Sequence, residues 1–121
     1  MISVDITDDH QMVLEGLKLL LDGIKEIAVR YCYRSAPLLM EGLKMSCPDV
    51  ILLDIMMPNL DGYSTLEEIK KRENLQNTKV IFLSAKNNPR DIEKGLEMGA
   101  DAYVTKPYSI KKLMQQIEEM L

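Results

Sequence analysis

Apolar and polar residues along this chain alternate between two rhythms. Ile2, Val4 and Ile6 recur at every second position, the period of a strand, over Ile2–Thr7. Met12–Leu21 then carries Val13, Leu17, Leu20 and Leu21 on one helical stripe, with Asp9 placed to cap it and Gly23 to stop it. Ile27–Tyr33 reads as a second strand. Ser35 caps a short helix holding Leu39 and Leu43, which ends before Pro48. Val50–Asp54 is apolar at every position except the last, the mark of a strand buried on both faces. Pro58, Asn59, Asp61 and Gly62 make a loop of 57–62, and Tyr63–Arg72 returns to the helical period with Leu66 and Ile69 inward. Lys79–Ser84 is a fourth strand. Asn88 caps a helix that begins with Pro89 and stops at Gly99. Ala102–Thr105 is a short fifth strand. Ser109 caps a last helix bearing Ile110, Leu113, Met114, Ile117 and Leu121.

Five strands alternating with five helices predict an α/β fold, a doubly wound parallel sheet with helices on both faces. No repeat, low-complexity tract or linker divides residues 1–121, so a single domain is expected. In such sheets ligands bind beyond the carboxyl ends of the strands. The residues there are Asp8 and Asp9 after the first strand, Asp54 after the third, Ser84 after the fourth and Lys106 after the fifth.

Composition narrows the partners. The chain is 46% hydrophobic and 28% charged, which suits a globular domain. Its net charge of −4 argues against general attraction to nucleic acid or anionic lipid. No apolar run is long enough to span a bilayer, and acids stand near the N-terminus where a secretory signal would carry Lys or Arg. Cys32 and Cys47 have no metal or redox spacing, as expected of thiols in a reducing compartment such as the cytoplasm.

Three carboxylates converging on one sheet edge repel one another and raise each other's pKa. A hard divalent ion relieves that repulsion. Mg²⁺ takes oxygen ligands, keeps several waters and commonly binds one or two carboxylates plus a phosphate. Asp9 and Asp54 suit direct ligation, Asp8 suits holding a coordinated water, and a backbone carbonyl just past Asp54 can add a ligand. An Asp carboxylate beside such an ion can attack phosphorus and form an acyl phosphate. Lys106 and Ser84 can each meet a phosphoryl oxygen. His10, the sole histidine, reads as a solvent-facing helix residue.

The ordered set is Asp8-Asp9, Asp54 ending an apolar strand, Met57-Pro58, Asp61-Gly62, Ser84-Ala85 and Lys106-Pro107. Ser84 lies 30 residues after Asp54, and Lys106 a further 22. This set resembles the receiver domain of two-component response regulators over essentially the whole chain. The opening Asp8-Asp9-His10, with Glu15-Gly16-Leu17, looks most like regulators of the LuxR type.

The resemblance implies a flavodoxin-like strand order of 2-1-3-4-5. Asp54 would be the phosphoacceptor. Asp8, Asp9, Asp54 and the backbone carbonyl of Met56 would hold Mg²⁺ or Mn²⁺. Lys106 would pair with the phosphoryl group, Ser84 would be the switch hydroxyl, and Tyr103 the aromatic residue that turns inward with it. The Lys106–Pro107 bond would be cis.

A sensor histidine kinase or phosphotransfer protein would be the donor, a homodimer a possible consequence, and transcription the output. Direct nucleic-acid or membrane binding by this domain is not expected. The resemblance allows the chain to be a fragment of a longer regulator, with a DNA-binding output domain outside it. Met56 and Lys86 occupy variable positions that in the family help set the life of the acyl phosphate. Neither is a carboxylate or amide, so a long-lived phosphorylated state is expected. The helix from Asn88 to Met98, with only Ile92, Leu96 and Met98 as its apolar stripe, is expected to shift on phosphorylation.

Two rival functions stand beside this one. A phosphatase using an aspartyl nucleophile would want a second Asp where Met56 stands. A degenerate receiver would mediate contacts only. One departure from the family remains: Asp5 sits where an apolar residue is usual, from either a local salt bridge or a less buried strand.

Overall fold

The computed structural model describes residues 1–8, 10–54, 62–84, 88–106 and 109–120. Five strands form one parallel sheet: β1 (Ile2–Thr7), β2 (Ile27–Tyr33), β3 (Val50–Asp54), β4 (Lys79–Ser84) and β5 (Ala102–Thr105). Their order is β2-β1-β3-β4-β5, as the family resemblance implied. The helices are α1 (Gln11–Asp22), α2 (Ala36–Gly42), α3 (Gly62–Lys71), α4 (Pro89–Glu97) and α5 (Ile110–Met120), with one 3₁₀ turn at Glu73–Leu75. The boundaries follow local chemistry. The Ser35 and Ser109 hydroxyls accept from the backbone N–H groups of Leu38 and Lys112, and Asn88 accepts from Arg90 just after Pro89. Gly99, at φ +115°, turns the chain out of α4 in a conformation that favours glycine.

Alternation along the strands builds two cores. Val4, Ile6, Val50, Leu52, Ile81, Leu83 and Val104 face α1 and α5, where Leu14, Leu17, Leu21, Leu113 and Ile117 meet them. Ile51, Leu53, Val80 and Phe82 face the other side and pack on Leu39, Leu43, Leu66 and Ile69. Every residue of β3 is buried, which accounts for its unbroken apolar run. Among the described residues no helix is long and apolar enough to cross a membrane.

Two expectations from the sequence change, and one open alternative is resolved. The inward stripe of α1 is Leu14, Leu17 and Leu21, whereas Leu20 is 55% exposed. Apolar residues surround most of this helix, so periodicity alone could not choose the face. The stripe of α4 is thinner than expected: Leu96 is exposed, and the buried residue is Gly95. Finally, Asp5 is fully buried and belongs to a salt bridge. The β1–β2 register steps from Val4↔Val29 to Asp5↔Tyr31, which leaves Arg30 as an extra residue in β2. That bulge re-aims the Arg30 side chain. Its Nε comes within 3.2 Å of Asp5 Oδ1, out of line for a hydrogen bond, and Nη2 donates to Asp5 Oδ2 at 3.5 Å and to the Ser46 hydroxyl at 2.9 Å.

Candidate functional site

Parallel registry brings the ends of β1, β3, β4 and β5 to one edge of the sheet. Thr7 pairs with Leu53, so Asp8 and Asp54 end adjacent strands level with each other. Asp54 pairs with Leu83, and Ser84 with Thr105. The Lys106 N–H donates to the Ser84 carbonyl at 2.7 Å, carrying the ladder one residue past β5 and holding the lysine at the same edge.

From there Lys106 Nζ donates to Asp54 Oδ2 at 3.0 Å and lies 3.9 Å from Asp8 Oδ2. Asp8, Asp54 and Ser84 are all buried. Asp8 Oδ1 accepts from the His10 backbone N–H at 2.9 Å and meets the His10 ring Nδ1 at 3.1 Å. Its other oxygen, Oδ2, is buried without a hydrogen-bond donor. Burial pushes the Asp8 carboxyl above the usual carboxylate range. Asp54 beside it pushes the same way, and the His10 hydrogen bonds oppose.

Of the residues expected at the site, Asp8, Asp54 and Lys106 are in mutual contact, and the Ser84 backbone touches Lys106. Tyr103 is half-buried on β5. Its ring meets Phe82 edge-on at 6.3 Å between centroids. It also lies against Gly95, where a Cβ would come within 3.0 Å of Tyr103 Cδ2. Asp9, Met56, Lys86 and Pro107 lie outside the described residues, and so do the carbonyl expected to bind metal and the bond expected to be cis.

His10 is the residue whose contact the sequence reading missed. It stands just before α1 with its side chain 68% exposed, yet one ring nitrogen reaches Asp8. The spacing was the available signal, because an aspartate commonly binds the backbone two residues on.

The donors fit a hard divalent ion. Two buried carboxylates share one ammonium, and a buried carboxylate oxygen has no hydrogen-bond donor. Oxygen atoms with surplus negative charge are what Mg²⁺ or Mn²⁺ requires.

A buried acidic cluster with a lysine at the carboxyl edge of a 2-1-3-4-5 sheet defines a class. The chain belongs to the response regulator receiver domain family, whose pattern matches residues 4–118. It is 36% identical over 113 residues to the nisin biosynthesis regulatory protein NisR of Lactococcus lactis subsp. lactis, across 93% of this chain and 47% of NisR. Among solved structures it is similar to the receiver domain of the Francisella response regulator 1452, with 31% identity and a TM-score of 0.88 over 99% of this chain and 96% of that one. It is also similar to a LuxR-family DNA-binding response regulator from Staphylococcus aureus, with 28% identity and a TM-score of 0.88 over 99% and 98% of the two chains. The chain spans less than half the length of the curated relatives it matches.

Proposed function

We propose that residues 1–121 act as one phosphorylation switch in which Asp54 accepts a phosphoryl group from a sensor histidine kinase or phosphotransfer protein in the cytoplasm. The observation that carries this reading is the buried Asp54 carboxylate, held at 3.0 Å by Lys106 beside Asp8, whose buried Oδ2 has no hydrogen-bond donor. One Asp54 oxygen attacks the phosphorus, the bond from phosphorus to the donor nitrogen breaks, and the imidazole leaves with its electron pair and takes up a proton. Asp8, Asp9, Asp54 and the Met56 carbonyl would hold Mg²⁺ or Mn²⁺, which would supply charge neutralisation at the phosphoryl oxygens.

Lys106 exchanges its bond to Asp54 Oδ2 for one to a phosphoryl oxygen. The Ser84 hydroxyl donates to another, drawing β4's end toward the site. Charge-assisted hydrogen bonds contribute about 1.5–3 kcal/mol each, and reversing a 1:99 equilibrium takes about 5.5 kcal/mol. Two or three such contacts are therefore of the right size. Motion at Ser84 reaches Tyr103 through the β4–β5 pairing, and the Tyr103 ring bears on Gly95 of α4. With only Gly95 buried, α4 is the element least held by the core. The altered surface of α4, β5 and α5, or a homodimer formed on phosphorylation, then passes the signal to an output, which we take to be transcription.

Intact-protein mass spectrometry after incubation with acetyl phosphate and Mg²⁺ tests this. One added phosphoryl group is expected on the wild type and none on Asp54→Asn. Continuous phosphate release at high turnover would instead indicate a phosphatase. No addition at all would indicate a receiver that only makes contacts.

A further inference from the structure

One ring nitrogen of the His10 imidazole lies at the edge of the acidic pocket, 3.1 Å from Asp8 Oδ1, although His10 is not among the residues through which the proposed function is argued. We infer that His10 Nδ1 is an additional metal ligand, which gives this site a preference for nitrogen-seeking first-row ions such as Co²⁺, Ni²⁺ or Zn²⁺ over Mg²⁺. The inference rests on the proposed acidic pocket being a metal site and names the class of ion it favours.

Three observations carry it. One donor atom each from Asp8, His10 and Asp54 lies within 4.8 Å of the other two. Around an octahedral ion with bonds of about 2.1 Å, neighbouring ligand atoms sit roughly 3.0 Å apart and opposite ones roughly 4.2 Å apart. The 3.1 Å between His10 Nδ1 and Asp8 Oδ1 matches a neighbouring pair. Second, the Asp8 side chain is 1% exposed, and its Oδ2, which faces Lys106, has no hydrogen-bond donor. The Lys106 ammonium at 3.9 Å balances part of its charge but donates no hydrogen bond to it, so this oxygen keeps its lone pairs for a cation. Third, the His10 backbone N–H is tied to Asp8 Oδ1 at 2.9 Å, which fixes the residue beside the pocket while 68% of its side chain stays in solvent. An ion can therefore enter from the open side and exchange one of its waters for the imidazole nitrogen.

The chemistry sets the preference. Mg²⁺ is hard, binds oxygen and holds its waters, so a neighbouring imidazole gives it little. Affinity for nitrogen ligands rises along the first transition row, and imidazole suits Co²⁺, Ni²⁺ and Zn²⁺. The alternative role for His10 is to donate an Nδ1–H hydrogen bond that positions Asp8. Asn can supply a comparable donor but no imidazole lone pair, so His10→Asn separates ligation from positioning.

The test is calorimetric titration of the untagged protein with Co²⁺ and with Mg²⁺, comparing wild type, His10→Asn and His10→Ala, with Asp54→Asn as the control for the pocket. His10 is the chain's only histidine, so no other imidazole contributes. Loss of the imidazole should weaken Co²⁺ binding about tenfold or more in both His10 variants while Mg²⁺ affinity stays within about twofold. The visible absorption of bound Co²⁺ should also move in both. A Co²⁺-to-Mg²⁺ affinity ratio that His10→Asn leaves within about twofold of wild type, with an unchanged Co²⁺ spectrum, overturns the inference. Mg²⁺ affinity left unchanged by Asp54→Asn would count against the acidic-pocket reading itself, and the ratio in the His10 variants reports separately from it.

Discussion

Replacing Arg30 by Met isolates the buried ion pair that distinguishes β1. Asp5 is fully buried, and its pKa is raised from 3.8 to about 6, chiefly by burial, with Arg30 pulling it back down. That upward move corresponds to about 3 kcal/mol, at roughly 1.4 kcal/mol per tenfold change in proton affinity. Because the folded pKa lies above the unfolded one, Asp5's contribution is fully present below about pH 4 and is lost as pH rises through about 6. Removing Arg30 removes the nearby cation, so an ionised Asp5 becomes a buried charge without its partner, which costs about 3–5 kcal/mol. At pH 5 the folded protein already carries Asp5 mainly protonated, and the loss should fall to about 1 kcal/mol, for the hydrogen bonds from Arg30 to Ser46. Urea denaturation at pH 5 and pH 8 measures both values. Replacing both partners, Asp5→Val with Arg30→Met, should cost little or stabilise at pH 8, and in the Asp5→Val background the Arg30→Met effect should lose most of its pH dependence. Arg30→Met losing the same stability at both pH values would refute the reasoning.

Asp8→Asn removes a charge that burial and Asp54 both oppose, so without metal it should stabilise the fold by about 1–3 kcal/mol at pH 8. The gain should shrink toward acid pH, where the raised Asp8 pKa leaves the wild-type residue protonated. Added Mg²⁺ should erode it as well, and urea titrations with and without the ion read both effects. Gly95→Ala would place a Cβ 3.0 Å from Tyr103 Cδ2 and 3.2 Å from Phe82 Cδ2. Overpacking there should cost about 1–3 kcal/mol and alter the near-ultraviolet tyrosine circular dichroism. Ser84→Ala should still bind Mg²⁺ and take up the phosphoryl group, but hydrogen exchange in α4 and β5 should no longer respond to it.

Much of this was legible because parallel sheets write their chemistry at strand ends. Asp54 is marked by the apolar run before it, and Lys106 by the short β5 that precedes it. Strand alternation and caps at Ser35, Asn88 and Ser109 located the elements. What stayed hidden depended on registry between distant segments. Nothing local distinguishes Arg30 as the extra residue of a bulge, so whether Asp5 was paired or exposed could not be chosen. The inward face of α1 was ambiguous because Leu14, Leu19 and Leu20 are equally apolar, and only packing against β1 selects among them. His10 was read as a surface residue because helical periodicity says nothing of an N-terminal side chain folding back on Asp8.

The central claim is that Asp54 carries the phosphoryl group. Borohydride reduces an acyl phosphate to the alcohol, which converts a phosphorylated aspartate to homoserine. Peptide mass spectrometry of borohydride-treated protein, after incubation with acetyl phosphate and Mg²⁺, should find homoserine at position 54 and at no other aspartate. Homoserine at another position, or unmodified aspartate at 54 in a sample whose intact mass shows the added group, would contradict the account.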